Sequence, residues 1–468
     1  MSLPIPQPPG VPLLGNIFDV DPSNTWESLR KLAERYGEIF QIRVLGHTIV
    51  FVAGAALAEE LCDERRFRKY VGGPIVEIRY AVHDALFTAF DHEPIWGVAH
   101  RIIAPRLAPA ALAPRLPQMR AVAVELVAKW RGLAAAAPVR LFDELNRLCL
   151  EATALTLFGV KLGCLAGPEH PMLGAIDGAT AEAMRRPTRP ALLNWLWYGR
   201  KFAAATATMR GFAEEMVAAR RADPAAGRVP GADDGDLLDA LLGTADPQTG
   251  AALTPSQVVD EVVSMPIGSA TSPALLSAAV YFLLRNPGAA ARARAELDAV
   301  VGAAREPVAY EHLARLEYLE GVVRESLRLS FAAPGFNIEP VPRAGGDRAP
   351  VLLGGGKYQI AHDQPLIIVL AGVNRDPTVF EDPLAFRPER MMGKAFEALP
   401  RGVKKWFGNG KRECIGKHWA WQWMMTTLAT LLREVDFEMA DPSYTLKQDG
   451  WFCVKPVDFW VKVKPREG

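Results

Sequence analysis

The stretch FGNGKRECIGKHWAWQW, residues 407–423, decides how this chain is read. Gly408 and Gly410 permit tight backbone geometry, and Gly416 follows the cysteine where a long apolar helix begins. Cys414 therefore projects from a compact loop just ahead of a helix N-terminus. Unpaired amide hydrogens and the positive end of the helix dipole at such a place favour a thiolate over a thiol.

Working outward, the segment GKHWAWQWMMTTLATLLREV reads as helix, and FEMA, SYTLKQDGWFCVKP and DFWVKVKPRE after it read as strands. Before the loop, VLLGGGKYQI and QPLIIVLAG are strand-like, which makes residues 335–400 a β-rich part. The long middle is helical: AALAEELCDE, AVAVELVAKWRG, LNRLCLEATALTLFG, KFAAATATMRGFAEEMVAARR and GAAARARAELDAVVG all carry helical periodicity. The first 60 residues hold a proline-rich lead-in (IPQPPGVP), a helix capped near Asn24 or Thr25, and two strands in EIFQIRVLGHTIVFVAG. The Gly/Pro/Asp-rich run at 222–236 reads as a surface loop. The pattern alone gives mostly helix with small sheets towards both ends; what the motifs resemble implies a mainly α (α+β) fold in one domain spanning 1–468, a helix-rich lobe with a smaller β-rich lobe.

The totals exclude several classes. Lys plus Arg is 53 and Asp plus Glu is 53, so no basic excess points to nucleic acid. The five cysteines are odd in number and far apart, with no CxxC pair, which argues against a disulfide framework or a zinc knuckle. The start, MSLPIPQPPGVPLLGN, has neither a basic flank nor a long apolar run. A cytoplasmic protein without an integral membrane segment is expected, with peripheral membrane contact left open.

A lone loop thiolate has three chemical uses: covalent nucleophile, zinc ligand, or haem axial ligand. Zinc asks for further Cys or His at short spacing, and His418 is the only candidate nearby. A nucleophile asks for a general base that the loop does not identify. Here resemblance adds what spacing leaves open. The pattern FxxGxRxCxG, with Phe407, Gly410, Arg412, Cys414 and Gly416, resembles the haem-binding signature of cytochrome P450 enzymes. Glu325-Ser326-Leu327-Arg328 fits the ExxR element, Asn374-Arg375-Asp376 the segment after it, FRPERM (386–391) the PERF element with Met for Phe, and Trp96 with His100 and Arg101 the haem-edge helix. The stretches GEIFQI, CDERRFRKY, ALFTAFDHEPIWGVAHRII and AELDAVVG are similar to the haem domain of self-sufficient fatty-acid hydroxylases, in which that domain is joined to an FAD/FMN reductase.

The resemblance implies haem b on Cys414, and Arg412, Trp96, His100, Lys69 and Phe407 as its other contacts. It implies that Glu325, Arg328 and Arg390 form a structural network behind the loop. Indirect cofactors would be FAD, FMN and NADPH, and the partners O2, a small apolar organic substrate and an FMN-containing reductase. Lys404, Lys405, Lys411 and Lys417 give the cysteine side a basic character suited to that reductase, or simply a solvated one. Near FWVKVKPREG the resemblance implies that the haem domain ends; a piece of a longer chain and a free-standing relative both fit.

One departure bears on chemistry. In EVVSMPIGSATSPALLSAAVYFLLRNP (261–287) the resemblance places Ile267, Gly268, Ser269, Ala270 and Thr271 where relatives carry a small residue, Gly, any residue, an acid and Thr. Gly268 and Thr271 remain, but Ala270 cannot relay a proton. Serine hydroxyls and water, a substrate group, or hydrogen peroxide as oxidant could each replace it. A monooxygenase with Thr271, Ser269, Ala270 and Gly268 at its catalytic segment is the main reading. The alternative is a peroxygenase, or rearrangement, coupling or dehydration at the same haem. Pro266 and Pro273 should bend or open the helix. The implied substrate pocket comprises Phe87, Ile267, Pro266, Gly335, Phe336 and Trp195. His47 and Phe51 stand where fatty-acid hydroxylases anchor a carboxylate, which makes a carboxylate-anchored fatty acid a poor fit.

Overall fold

The computed structural model describes residues 2–21, 24–44, 46–133, 137–223, 235–302 and 306–466. Its fold is mainly helical with small sheets, as expected, and the chain parts into two compact units. One unit comprises Met1–Tyr70, Arg324–Cys414 and Gln448–Lys455; the other comprises Val71–Val323, Ile415–Lys447 and Pro456–Gly468. Of the surface loop expected at 222–236, residues 224–234 lie outside the described residues.

The first unit is built on a five-stranded sheet in the order Ile39–Val44, His47–Val52, Leu366–Val369, Gly335–Pro340, Phe67–Lys69. The first two strands form the antiparallel hairpin that the sequence predicts, with Val44 opposite His47 and Phe40 opposite Phe51. His47–Val52 then pairs in parallel with Leu366–Val369, Phe51 against Ile367. At Gly335 the neighbouring strand comes so close that an added Cβ would lie 2.1 Å from the Ile368 carbonyl oxygen. Sheet packing therefore accounts for this glycine. A second hairpin, Val351–Leu353 with Tyr358–Ile360, turns through Gly354, Gly355 and Gly356, all at positive φ. The helix Thr25–Tyr36 starts at Asn24, whose side chain accepts from the Glu27 N–H.

The second unit is a helical assembly around Leu141–Phe158, of which fourteen residues are buried. Thr271–Arg285 packs on it, and Leu116–Arg131 packs on both it and Lys417–Glu434. Gly159 ends the Leu141–Phe158 helix in the left-handed conformation (φ 69°). Arg220, almost fully buried, bonds Asp236, Asp239 and the Phe158 carbonyl, so its charge is compensated on all sides. A three-stranded sheet, Pro138–Arg140, Trp460–Pro465 and Val435–Met439, closes this unit.

Candidate functional site

The cysteine loop is held by its own backbone and by its neighbours in the first unit. The Cys414 N–H donates to the Phe407 carbonyl at 2.7 Å, closing the loop. Gly408 (φ 83°) and Gly410 (φ 59°) supply the left-handed turns that this closure needs. Asn409 donates to the Cys62 carbonyl at 2.8 Å, and the Glu64 carboxylate accepts from the Lys411 N–H at 2.8 Å. The result presents an exposed Cys414 on an ordered loop, with Arg412 half-buried at the end of the turn Gly410–Arg412. Among the described residues no three His, Cys, Asp or Glu side chains converge to hold a metal. A zinc centre is thereby disfavoured. One sulfur donor would suit a group that brings its other metal ligands with it, as haem does.

Behind the loop the ExxR residues form a buried ion pair. Arg328 donates through Nε and Nη2 to the two Glu325 oxygens, each at 2.8 Å, and both side chains are fully buried. Its remaining donors reach the carbonyls of Asn374 (2.9 Å), Pro383 (2.6 Å) and Ala385 (3.1 Å). Glu325 also accepts from the Arg387 N–H at 3.0 Å, and Arg390 Nε stands 3.5 Å away. Glu325, Arg328 and Arg390 are thus brought together. Two partners were not named for it from sequence. Asn374 carries a carbonyl on Arg328, and its side-chain oxygen accepts from Trp406 Nε1 at 3.3 Å. Trp406 immediately precedes Phe407, so the network is tied to the root of the cysteine loop. A tryptophan before the loop and an Asn in the segment between motifs were the available signals.

Lys404 and Lys405 serve this architecture more than a docking face. Lys404 donates to the carbonyls of Phe396 (3.2 Å) and Glu397 (3.1 Å), and Lys405 to Asn409 Oδ1 (2.5 Å). Both are half-buried, whereas Lys411 is exposed. The basic surface expected around the cysteine is correspondingly smaller.

In the second unit the apolar segment forms two helices, Pro255–Ser269 and Thr271–Arg285, interrupted at Ala270. Pro266 sits inside the first helix; the opening falls ahead of Pro273. That position has a cause. Pro273 has no N–H to offer the Ser269 carbonyl, and the Cys149 thiol donates to that carbonyl instead at 3.4 Å. Cys149 was missed from sequence because its partner lies 120 residues away. Ser269 Oγ donates to the Pro266 carbonyl (3.0 Å) and Thr271 Oγ1 to the Gly268 carbonyl (3.4 Å). Both hydroxyl oxygens keep lone pairs for a water or ligand. Gly268 is exposed, next to buried Ile267, with nothing within 4 Å of where a Cβ would stand. Ile267 and Pro266 of the same helix are buried. At this segment Gly268, not Ile267, borders open space, because successive helix residues point about 100° apart.

The other expected residues are placed as follows. Trp96 and His100 lie on the helix Ile95–Ile103 with their rings stacked at 5.2 Å, while Arg101 is taken up by buried Asp246 (2.6 and 2.8 Å). Phe87 is half-buried between buried Leu86 and Thr88. In the first unit, Lys69 ends the strand Phe67–Lys69, and Phe336 is half-buried opposite Ile368. Phe51 is buried and stacked on Phe40 at 5.1 Å. Trp195 is 74% exposed.

The helix Pro255–Ser269 also carries two acids that sequence reasoning passed over. Asp260 is held by Arg210 (2.5 Å) and by His83 (3.0 Å). Glu261 is fully buried and accepts from the Leu86 N–H at 2.7 Å. Burial pushes its carboxyl up to about 8; the Leu86 N–H opposes this, and Asp260 and Asp84 add to it. Raised above its value of 4.5 in an open chain, the group binds a proton in the folded state that the unfolded chain releases. Its contribution to stability is complete below pH 4.5 and is lost as pH rises to about 8. Between those limits the slope is about 1.4 kcal/mol per pH unit. Glu261→Gln, which keeps the acceptor, is expected to flatten the fall in melting temperature between pH 6 and about pH 8. Parallel melting curves for the two proteins would rule this out.

Comparison with known proteins agrees with this geometry. The family model for cytochrome P450 matches residues 5–463. A bifunctional cytochrome P450/NADPH–P450 reductase of Acremonium egyptiacum is 36% identical over 469 residues, covering 99% of this chain and 43% of that protein. A self-sufficient cytochrome P450 monooxygenase of Exserohilum turcicum is 36% identical over 470 residues, covering 99% and 42%. A bifunctional cytochrome P450/NADPH–P450 reductase of Fusarium oxysporum is 36% identical over 476 residues, covering 100% and 43%. The chain spans about two-fifths of the length of the curated relatives it matches.

Proposed function

The chain belongs to the cytochrome P450 family, and from that premise we propose that it inserts one oxygen atom from O2 into an apolar organic substrate, by hydroxylation or epoxidation, with electrons from NADPH. The observation that carries this is the exposed Cys414 on a loop closed by its own N–H, with no other metal-binding cluster among the described residues. Haem bound there supplies reductive activation of O2 at an iron whose thiolate ligand donates electron density and favours O–O cleavage. In the first unit Arg412, Lys69 and Phe407 would hold it, the two cations through its carboxylates. Electrons would come from FAD and FMN of a reductase, as the names of the relatives indicate for those proteins. A cytoplasmic location goes with this reading.

Thr271 is the residue assigned here to steer protons. Its hydroxyl hydrogen is turned to the Gly268 carbonyl, and its oxygen is left to accept from a water at the open face of the helix. Ser269, with the same arrangement towards Pro266, is the second hydroxyl of the relay. A long-chain carboxylate is disfavoured as substrate: Phe51 is buried in the sheet and offers no hydrogen bond, and His47 is exposed.

The absence of an acid at Ala270 favours a second reading, use of hydrogen peroxide, which brings both protons with it. Product formation by the haem-loaded protein decides between them. With NADPH and an FMN-containing reductase, turnover is expected to exceed that with peroxide, and Thr271→Ala is expected to divert electrons to peroxide release. Higher turnover with peroxide, unaffected by Thr271→Ala, would establish the second reading.

A further inference from the structure

Ala270 leaves the proposed relay of Thr271 and Ser269 without an acid, but the helix leading to them carries one about two turns earlier. Glu261, Ser264, Met265 and Gly268 recur at i, i+3, i+4 and i+7, so they share one face of the helix Pro255–Ser269. Exposure follows that face. Ser264 and Met265 are half-buried and Gly268 is exposed, whereas Val262, Val263, Pro266 and Ile267 are buried. Glu261 stands at the closed end of this stripe, roughly 10 Å along the helix axis from Gly268.

The two oxygens of Glu261 are held differently. One accepts from the Leu86 N–H at 2.7 Å; the other is buried with no hydrogen-bond partner among the described residues. In such a place a half-bonded carboxylate is far costlier than the neutral acid. The surrounding charges act in the same direction. Asp260, beside it on the helix, and Asp84, from the segment before Leu86, both oppose ionisation, and no cation is among the groups that act on it. His83, and Arg210 from the helix Gly199–Ala222, are taken by Asp260, and Arg210 also by Glu214. On the other two helices packed against this one, Glu151 of Leu141–Phe158 is engaged by the Leu162 and Cys164 N–H groups, and Asp239 of Leu237–Gly243 by Arg220. Glu261 therefore holds a proton at neutral pH.

Two features lead from it towards Gly268. Ser264, one turn on, leans back over Glu261 because helical side chains tilt towards the N-terminus, and its hydroxyl both donates and accepts. Pro266 has no N–H for the Val262 carbonyl, which is left as an acceptor for water within the helix ladder. Beyond them Thr271 Oγ1 reaches the Gly268 carbonyl.

We propose that Glu261 is the proton donor that Ala270 is not, feeding water held along Ser264 and Gly268 and, through it, the Thr271 hydroxyl. The inference rests on the oxygenation reading. Turning a substrate C–H and O2 into C–OH and one water takes up two electrons, from NADPH through the reductase, and two protons. Glu261 passes these protons one at a time and is refilled from water between them.

The test compares the haem-loaded protein with its Glu261→Gln variant, which keeps the acceptor for Leu86 and loses the proton, with styrene as the apolar probe substrate. Driven by NADPH and an FMN-containing reductase at neutral pH, the variant is expected to form about tenfold less product per NADPH, or lower still, with electrons diverted to peroxide. The parent's yield is expected to fall as pH rises through about 8, and the variant's to show no such fall. Infrared spectra, with and without haem, are expected to show a protonated-carboxyl band in the parent that fades above about pH 8 and is missing from the variant. Equal yields from the two proteins at every pH, absence of that band, or an equal loss when hydrogen peroxide replaces NADPH and O2 would overturn the proposal. A parent that forms product with peroxide alone would instead overturn the oxygenase reading, and this inference with it.

Discussion

Arg328→Ala is expected to destabilise the protein by about 3–5 kcal/mol, the cost of leaving a buried charge without its partner. The substitution strands Glu325 in a fully buried site and removes donors from the carbonyls of Asn374, Pro383 and Ala385. Because Asn374 also accepts from Trp406, the loss is expected to reach the cysteine loop and appear as weaker haem retention as well as a lower melting temperature. Arg328→Lys keeps the charge but cannot make the two-pronged bond to Glu325 together with three carbonyl bonds, so it should rescue only part of the loss. The measurement is thermal melting with haem content read on the same samples. If Arg328→Ala melts with the parent protein, the network does not support the loop.

The second large effect is expected at Cys414. Cys414→Ala should leave the fold intact, since the side chain is exposed and the loop is closed by the Cys414 N–H, which the variant keeps. It should abolish the carbon-monoxide spectrum characteristic of thiolate-ligated haem and bring oxygenation below detection. The two substitutions separate cleanly: one costs stability and cofactor together, the other changes ligation at nearly constant stability. A Cys414→Ala protein with an unchanged carbon-monoxide spectrum would remove the ligand assignment and the proposed chemistry with it.

Much of this was legible along the chain because the signals are local. Glycine spacing around Cys414, the three-residue interval between Glu325 and Arg328, and the alternation in IVFV each follow from backbone geometry within a few residues. The fold class, the strand hairpins and the main helices came from the same source. Elsewhere local reading leaves side-chain exposure open. Ile267 is buried and Trp195 is 74% exposed, and residue type alone fixes neither. Glu261 gave no sign in the sequence, because an acid among valines can point to solvent or to a buried amide, and the Leu86 amide that it meets is 175 residues away.

By itself the sequence determined a glycine-rich cysteine loop, a helical break near two prolines and a helix-rich chain with small sheets. These rest on φ/ψ preferences, missing donors and short-range periodicity. Only the tertiary structure decided that His47–Val52 pairs in parallel with Leu366–Val369, that Cys149 answers the carbonyl Pro273 leaves open, and that Asn374 and Trp406 join the Arg328 network to the cysteine loop. Those contacts bridge from 32 to more than 300 residues of chain, and a hydrogen bond at such separation is set by which buried groups need a partner after the core has packed.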